Sequence, residues 1–384
     1  MIQLNMIKVA WFASSFVGRS ASGTAQTARK IVEYLINNAN DEVEVTLLFK
    51  NLDELELVKS DKTLASCKQT ILPTVKGKFL KSSRQYYKYA FQSKNVKFDV
   101  LHFSVSRLYP LFWKFPAKRF VCTFHAGGEI TVPTDAFVLS RVIYNFLMKC
   151  QWKKLDAIYA DSDFGVTEIS EAYNIPDKYI TKIYLGADNM WDTLPTELYD
   201  FDRSKPTILI IGRWQKYKNI HSVLYAIYES DDELIKNCKI IVLGKSKQLG
   251  NSLVSAAVEL FKKNQLKLID YATESELKFL YNNVQLVIHP SINEGFGIPA
   301  FEAFAEGAVL IVHEGTPADQ YLSKHNGVLS GDMKDKEKIQ NLIMSGLKLT
   351  KQNQSIRQKY LNDMGMTWDF NGLSTLQSYK KLLN

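Results

Sequence analysis

The chain has 384 residues, 46% of them hydrophobic, and a net charge of +8. That length suits two cores of roughly 150–200 residues each, and that apolar content excludes a disordered chain. No apolar run reaches the roughly 18–20 residues of a membrane-spanning helix. The opening MIQLNMIKVAWFASS reads as a buried strand without the cleavage site of a signal peptide.

The charge is uneven. Residues 1–150 carry 21 Lys and Arg against 11 Asp and Glu, and the remainder carries 27 against 29. The first domain is therefore the basic one, suited to a phosphorylated substrate, an anionic membrane surface or a nucleic acid. Cys67, Cys122, Cys150 and Cys238 form no CxxC pair, so neither a zinc site nor a redox motif is expected. Scattered among apolar neighbours, they read as buried thiols of a reducing compartment, and the expectation is a cytosolic protein.

Along the first half, short apolar runs alternate with helical ones. The strand candidates are Ile7–Ala13, Val43–Phe49, Val100–Phe103, Arg119–Phe124, Ala157–Ala160 and Lys182–Leu185. Between the first two, Thr24–Ile36 places Ala25, Ala28, Ile31, Val32 and Leu35 on one helical face. Such alternation predicts a parallel sheet covered by helices on both faces. The polar segment Asn189–Lys205, with Pro195 inside and Pro206 after it, breaks the rhythm and reads as a linker.

A second alternation follows: strands at Thr207–Ile211, Lys239–Leu243, Leu286–His289 and Val309–Val312, helices at His221–Tyr228, Leu253–Phe261, Glu274–Tyr281 and Ala300–Ala305. The tail after Lys334 reads as wholly helical. The expected fold class is α/β, with two doubly wound sheets, a cleft between them, and ligands at the carboxyl ends of the strands. The domains are expected at 1–190 and 206–365, with a terminal segment 366–384.

The most informative stretch is HPSINEGFGIPAFEAFAEGAVLIV, from His289 to Val312. A strand ends at His289, a loop with Gly295 and Gly297 follows, and Pro299 fits the first turn of a helix. Loop glycines let backbone amides approach a ligand, and the helix N-terminus offers unpaired N–H donors to a phosphate or sugar hydroxyl. Glu294 and Glu302 bracket the helix start, and two carboxylates are good acceptors for the paired hydroxyls of a hexose or ribose. The plain alternative is an ordinary strand–loop–helix with surface glutamates. Upstream, IIGRWQKYKNI places Gly212, Arg213 and Lys218 just after a strand, where two cations can neutralise a diphosphate.

These strings closely resemble the Glu-x7-Glu and Gly-Arg-x4-Lys signatures of the family 4 retaining glycosyltransferases. The resemblance extends to TFHAGGE, with His125 after a strand and Gly127 and Gly128 following, and to Ala160–Asp188, ending Leu185-Gly186-Ala187-Asp188. It also reaches the last helix, with Trp368 and Tyr379, which in the family packs back on the first domain.

The family implies a GT-B fold, two Rossmann-like domains facing across a cleft, and retention of configuration at the sugar carbon. It implies a GDP- or UDP-sugar donor, with a lean to GDP-mannose, and no cofactor. The implied donor set is Gly212, Arg213, Lys218, Glu294, Gly295, Phe296, Gly297, Ile298 and Glu302. Within it Glu294 would hold sugar hydroxyls and Glu302 the ribose; His125 would lie near the sugar's primary hydroxyl or the acceptor, a glycan or lipid-linked glycan. A non-catalytic scaffold that binds nucleotide sugar without turnover is the alternative.

One departure concerns the first strand–helix loop, FVGRSASGTAQ, where Gly18 and Gly23 stand in place of the family's frequent Gly-Gly pair, on the acceptor side. Asp161 and Asp163 mimic a metal-binding Asp-x-Asp. Placed at a strand-to-helix turn, helix capping by Ser162 or Asp163 is their expected role, and no metal is expected. Lys76–Lys97 contains seven Lys and Arg, no acid, and Phe79, Tyr86, Tyr87, Tyr89 and Phe91 interleaved. It suits either peripheral contact with an anionic membrane at its inner face or a helix with a core-facing aromatic stripe. No motif supports nucleic-acid recognition.

Overall fold

A computed structural model describes residues 6–13, 16, 23–59, 61–76, 81–93, 95, 97–105, 108–125, 138–197, 204–244 and 254–384. The chain divides into two units: Met1–Leu185 with Trp368–Asn384, and Gly186–Thr367. The division falls at 185/186 and 367/368, so residues 186–190 belong with the second unit rather than the first.

The first unit is a parallel sheet of β1 (Ile7–Phe12), β2 (Val43–Phe49), β3 (Lys68–Ile71), β4 (Phe98–Phe103), β5 (Ala117–Phe124), β6 (Ala157–Ala160) and β7 (Ile180–Lys182). Its order is β3-β2-β1-β4-β5-β6-β7. The second unit repeats the plan with β8 (Thr207–Ile211), β9 (Lys239–Leu243), β10 (Leu266–Ile269), β11 (Leu286–His289), β12 (Leu310–His313) and β13 (Val328–Gly331), in the order β10-β9-β8-β11-β12-β13. Helices cover both faces, so central strands such as β8 (TILII) and β11 (LVIH) are buried throughout. In each sheet the order reverses between the first and fourth strands, β1 beside β4 and β8 beside β11. Loops leaving such a reversal point diverge and open a crevice at the carboxyl ends of the strands.

Several expectations are corrected. β7 lies at Ile180–Lys182, earlier than Lys182–Leu185, because Ile158 pairs with Ile180 and that register sets the strand. The segment read as a linker is anchored where described: Lys278 Nζ donates to the carbonyls of Met190 (2.7 Å) and Trp191 (2.9 Å), and the Thr196 amide donates to that of Ser275 (3.2 Å). Cys150 is exposed, unlike the three other cysteines, because it sits on the outward face of helix Val138–Gln151. The aromatic stripe of the basic segment faces inward on helix Lys81–Gln92: Tyr86 is fully buried, and Tyr87 and Tyr89 pack on the same core. Phe79 lies outside the described residues.

Helix Trp368–Leu383 completes the first unit. Tyr379 is fully buried, its hydroxyl hydrogen-bonded to His102 Nδ1 at 2.5 Å, while His102 Nε2 bonds Thr123 Oγ1 at 2.7 Å. Burial, helped by the nearby charge of His125, lowers the His102 pKa to about 3, so this imidazole is folded in as a neutral group. A base whose folded pKa lies below its unfolded value of 6.5 contributes stability that is present above 6.5 and is lost as pH falls toward 3. Tyr379→Phe leaves one buried ring nitrogen unsatisfied and should cost the first unit about 1–3 kcal/mol. Amide exchange in β4 and β5 checks this; unchanged protection there would contradict it.

Candidate active site

The reversal point of the second sheet gathers most of the sequence-predicted donor residues. β8 ends at Ile211, and Gly212, Arg213 and Lys218 follow in the next loop; β11 ends at His289, and the loop to Gly297 follows. Because β8 and β11 are paired, these loops run side by side. The Ile292 amide donates to the Tyr217 carbonyl at 2.9 Å, and Ser291 Oγ to the same oxygen at 3.3 Å. A glycine is required where β9 ends, since a Cβ on Gly244 would come within 1.9 Å of the Gly212 carbonyl oxygen.

Across the two loops Lys218 Nζ is ion-paired with Glu294 Oε1, and His289 Nε2 lies 3.4 Å from the same oxygen. The side chains of Lys218 and Glu294 are only 17% and 15% exposed. Burial pushes the Glu294 carboxyl up, but the Lys218 charge and the His289 contact together outweigh it and hold the group well below the usual carboxylate range. Glu294 is thus an ionised acceptor, paired with Lys218 at the reversal point of the second sheet.

Gly297 precedes helix Ile298–Ala305 with φ of +91°, and a Cβ there would lie 3.3 Å from His289 Cε1. The left-handed turn swings the chain from Glu294 into the helix, with Pro299 in its first turn. The helix is buried along its length; Pro299 carries no N–H, and the Ala300 amide donates to the Gly297 carbonyl at 2.9 Å, so the first turn is fixed in place with its dipole end toward the loop. The ring of Phe296 is buried and stacks on Phe301 at 4.1 Å, which leaves its backbone as the part able to meet a ligand. Ile298 is likewise buried.

Glu302 is held differently from Glu294. It is 6% exposed, and Asn189 Nδ2 donates to its Oε1 at 2.7 Å. Burial raises its pKa to about 7 against the Asn189 hydrogen bond, with the charges of Glu274 and Glu306 adding to the rise. Sequence reading missed Asn189 because it lay in the presumed linker. An acid whose folded pKa exceeds its unfolded 4.5 contributes stability that is present below 4.5 and lost as pH rises through 7. Glu302→Gln should therefore stabilise the second unit at about pH 8 by on the order of 3 kcal/mol, with the gain vanishing below about pH 4.5. Denaturation midpoints followed against pH check this; a gain independent of pH would contradict it.

In the first unit, His125 stands one residue past β5 and Asp161 one residue past β6. The pairing of Phe124 with Ala160 sets them side by side, and His125 Nδ1 meets Asp161 Oδ2 at 2.9 Å, with Asp161 buried and His125 partly so. Asp161 therefore orients the histidine, a role the sequence did not suggest. Ser162 caps helix Asp163–Tyr173 through the Gly165 amide at 3.0 Å, and Asp163 pairs with Lys182 at 2.6 Å. Gly23 is the first residue of helix Gly23–Asn38. Gly18, Gly127 and Gly128 lie outside the described residues.

Residues 198–361 match the family described as Glycosyl transferases group 1. Among curated proteins, the O-antigen chain mannosyltransferase RfbU of Salmonella typhimurium is 29% identical over 275 residues, 62% of this chain and 71% of that one. The O-antigen chain mannosyltransferase B of Escherichia coli is 25% identical over 239 residues, 60% of this chain and 61% of that one. Among solved structures, sucrose-phosphate synthase of Thermosynechococcus elongatus superposes with a TM-score of 0.75 at 15% identity, covering 98% of this chain and 99% of that one. Two Rossmann-like units in one chain, matched end to end by that structure, are the GT-B fold. Together with the family match over residues 198–361 of the second unit, they support reading the chain as a group 1 glycosyltransferase.

Proposed function

We propose that this protein moves a hexose, mannose in our reading, from a nucleotide sugar to a glycan or lipid-linked acceptor in surface polysaccharide synthesis, with retention of configuration. The observation that carries the reading is the Lys218–Glu294 pair at the reversal point of the second sheet, beside a buried helix N-terminus. Similarity to O-antigen chain mannosyltransferases supports mannose and a polysaccharide product.

In this scheme the bond from the sugar's anomeric carbon to the diphosphate oxygen breaks, and its electron pair leaves with the nucleoside diphosphate. The acceptor hydroxyl oxygen bonds to the anomeric carbon from the same face, and its proton passes to the departing phosphate oxygen. Arg213, Lys218 and the positive dipole end of helix Ile298–Ala305 stabilise the charge on the leaving group, in place of a metal ion. Glu294, ionised and held by Lys218 and His289, accepts hydrogen bonds from sugar hydroxyls, and Glu302 serves the ribose. His125, fixed by Asp161, positions the primary hydroxyl of the sugar or the acceptor. The commitment of Asp161 to His125 and of Asp163 to Lys182 supports reading that pair as structural.

The test is a thermal-shift screen of GDP- and UDP-sugars in EDTA, followed by transfer assays with glycan and lipid-linked acceptors and product analysis by NMR. Stabilisation by one matching donor and an unchanged anomeric configuration are expected. No binding of any nucleotide sugar at millimolar concentration would overturn the proposal. Binding without turnover on any acceptor would favour the non-catalytic alternative.

A further inference from the structure

Among its described side chains, helix Val138–Gln151 exposes two large apolar ones on its outer face, where a surface helix is ordinarily polar. Met148 points into the first unit's core, at 1% exposure. On the opposite side Val142 and Phe146 are 57% and 64% exposed, one turn apart, and helical spacing sets Lys149 beside them. The chain continues into the turn Trp152–Lys154, whose Lys153 and Lys154 are exposed. The Trp152 ring packs against the half-exposed Tyr179 with centroids 5.5 Å apart. From residue 136 to 155 the sequence has Arg141, Lys149, Lys153 and Lys154 and no Asp or Glu.

We propose that this face docks the protein on an anionic lipid bilayer, with Val142 and Phe146 entering the headgroup region and the lysines meeting lipid phosphates. Two observations favour that occupant. The first is charge: Lys149, Lys153, Lys154 and Lys178 outnumber the exposed Asp156 and Asp177 around this face, so a second copy would bring a net basic rim against itself, whereas anionic lipid complements it. The second is chemistry: a Trp–Tyr pair with an apolar body and polar edge suits the interface between hydrocarbon and water. The basic helix Lys81–Gln92 lacks this combination, because its tyrosines are turned to the core and Phe91 is its one large apolar side chain exposed beyond half. The inference deepens the lipid-linked acceptor reading by naming the surface that would bring the first unit to such an acceptor, but its test needs no sugar transfer.

The measurement is co-sedimentation of the full chain with vesicles of phosphatidylcholine alone or with about a third phosphatidylglycerol. A polarity-sensitive fluorophore on Cys150, the one exposed cysteine, reports locally. Binding to the anionic vesicles, a blue shift of the fluorophore, and weakening by salt are expected. Val142→Asp with Phe146→Asp, and separately Lys149→Glu with Lys153→Glu, should each weaken binding at least tenfold, while Phe91→Asp should leave it unchanged. These side chains are exposed, so circular dichroism should match the wild type. The proposal is overturned if the wild type ignores anionic vesicles, if both double variants bind like it, or if Phe146→Asp instead abolishes a concentration-dependent dimer. Vesicle binding with no donor binding would leave this surface standing and sink the transfer reading alone.

Discussion

Lys218→Ala should lower the rate of sugar transfer by about 10²–10³-fold, the usual effect of removing one preorganised group that stabilises a leaving anion. It should also be visible without substrate. Glu294 has a folded pKa depressed below its unfolded 4.5, so it contributes stability present above 4.5 and lost as pH falls through the folded value. Lys218 is the largest charge holding that pKa down. Without it, the Glu294 carboxyl rises and the second unit begins to lose stability at a higher pH during acid titration. Glu294→Gln combined with Lys218→Ala should remove this acid shift while leaving transfer low. A Lys218→Ala enzyme within tenfold of the wild-type kcat/KM would remove Lys218 from the mechanism. An unmoved acid limb would show that His289 alone sustains the ionised carboxylate.

Arg357→Ala should destabilise the second unit by about 3–5 kcal/mol, through a residue that no catalytic motif includes. Arg357 is 3% exposed. Its Nη1 donates to the carbonyls of Phe304 (3.2 Å) and Ala308 (2.8 Å), its Nη2 to that of Asn326 (2.6 Å), and the guanidinium lies 4.4 Å from the centre of the Phe304 ring. Two of those acceptors stand at or just past the C-terminal end of helix Ile298–Ala305, where carbonyls lack partners within the helix and the dipole favours a cation. Burial lowers the pKa of Arg357 to about 10, which leaves it charged at neutral pH. Truncation strips donors from three carbonyls and opens a cavity beneath the helix that follows Glu294. Arg357→Met restores volume without donors and should recover only part of the loss. Local amide exchange in helix Ile298–Ala305 reads both variants; protection equal to wild type in Arg357→Ala would refute the assignment.

The strands that sequence reading misplaced or missed share one property. β3, β7, β10 and β13 are the four edges of the two sheets. β3 reads KQTI and exposes three of its four residues, with the patterns of β7 and β13 similarly mixed. An edge strand has one bonded neighbour and a partly wet surface, so it carries no continuous apolar run to notice. The central strands are buried on both faces, and their runs were plain: Thr207–Ile211, Lys239–Leu243 and Leu286–His289 were legible to the residue. The tyrosines of helix Lys81–Gln92 show the opposite difficulty, since composition alone does not say which side of a basic aromatic helix faces the core.

The same division runs through the candidate site. The amino-acid order, through its family resemblance, singled out Gly212, Arg213, Lys218, Glu294 and Gly297 as candidates, and backbone rules are consistent with glycines and cations where a strand gives way to a helix at an anion site. Folding alone supplied the partners. The β8–β11 pairing brings Lys218 to Glu294 across 76 positions of sequence, the β5–β6 pairing brings Asp161 to His125, and the docking of residues 189–196 brings Asn189 to Glu302. These contacts depend on register and on long-range burial, which no local spacing encodes. They also set the two glutamates apart, Glu294 held low beside a lysine and Glu302 raised to about 7 by burial.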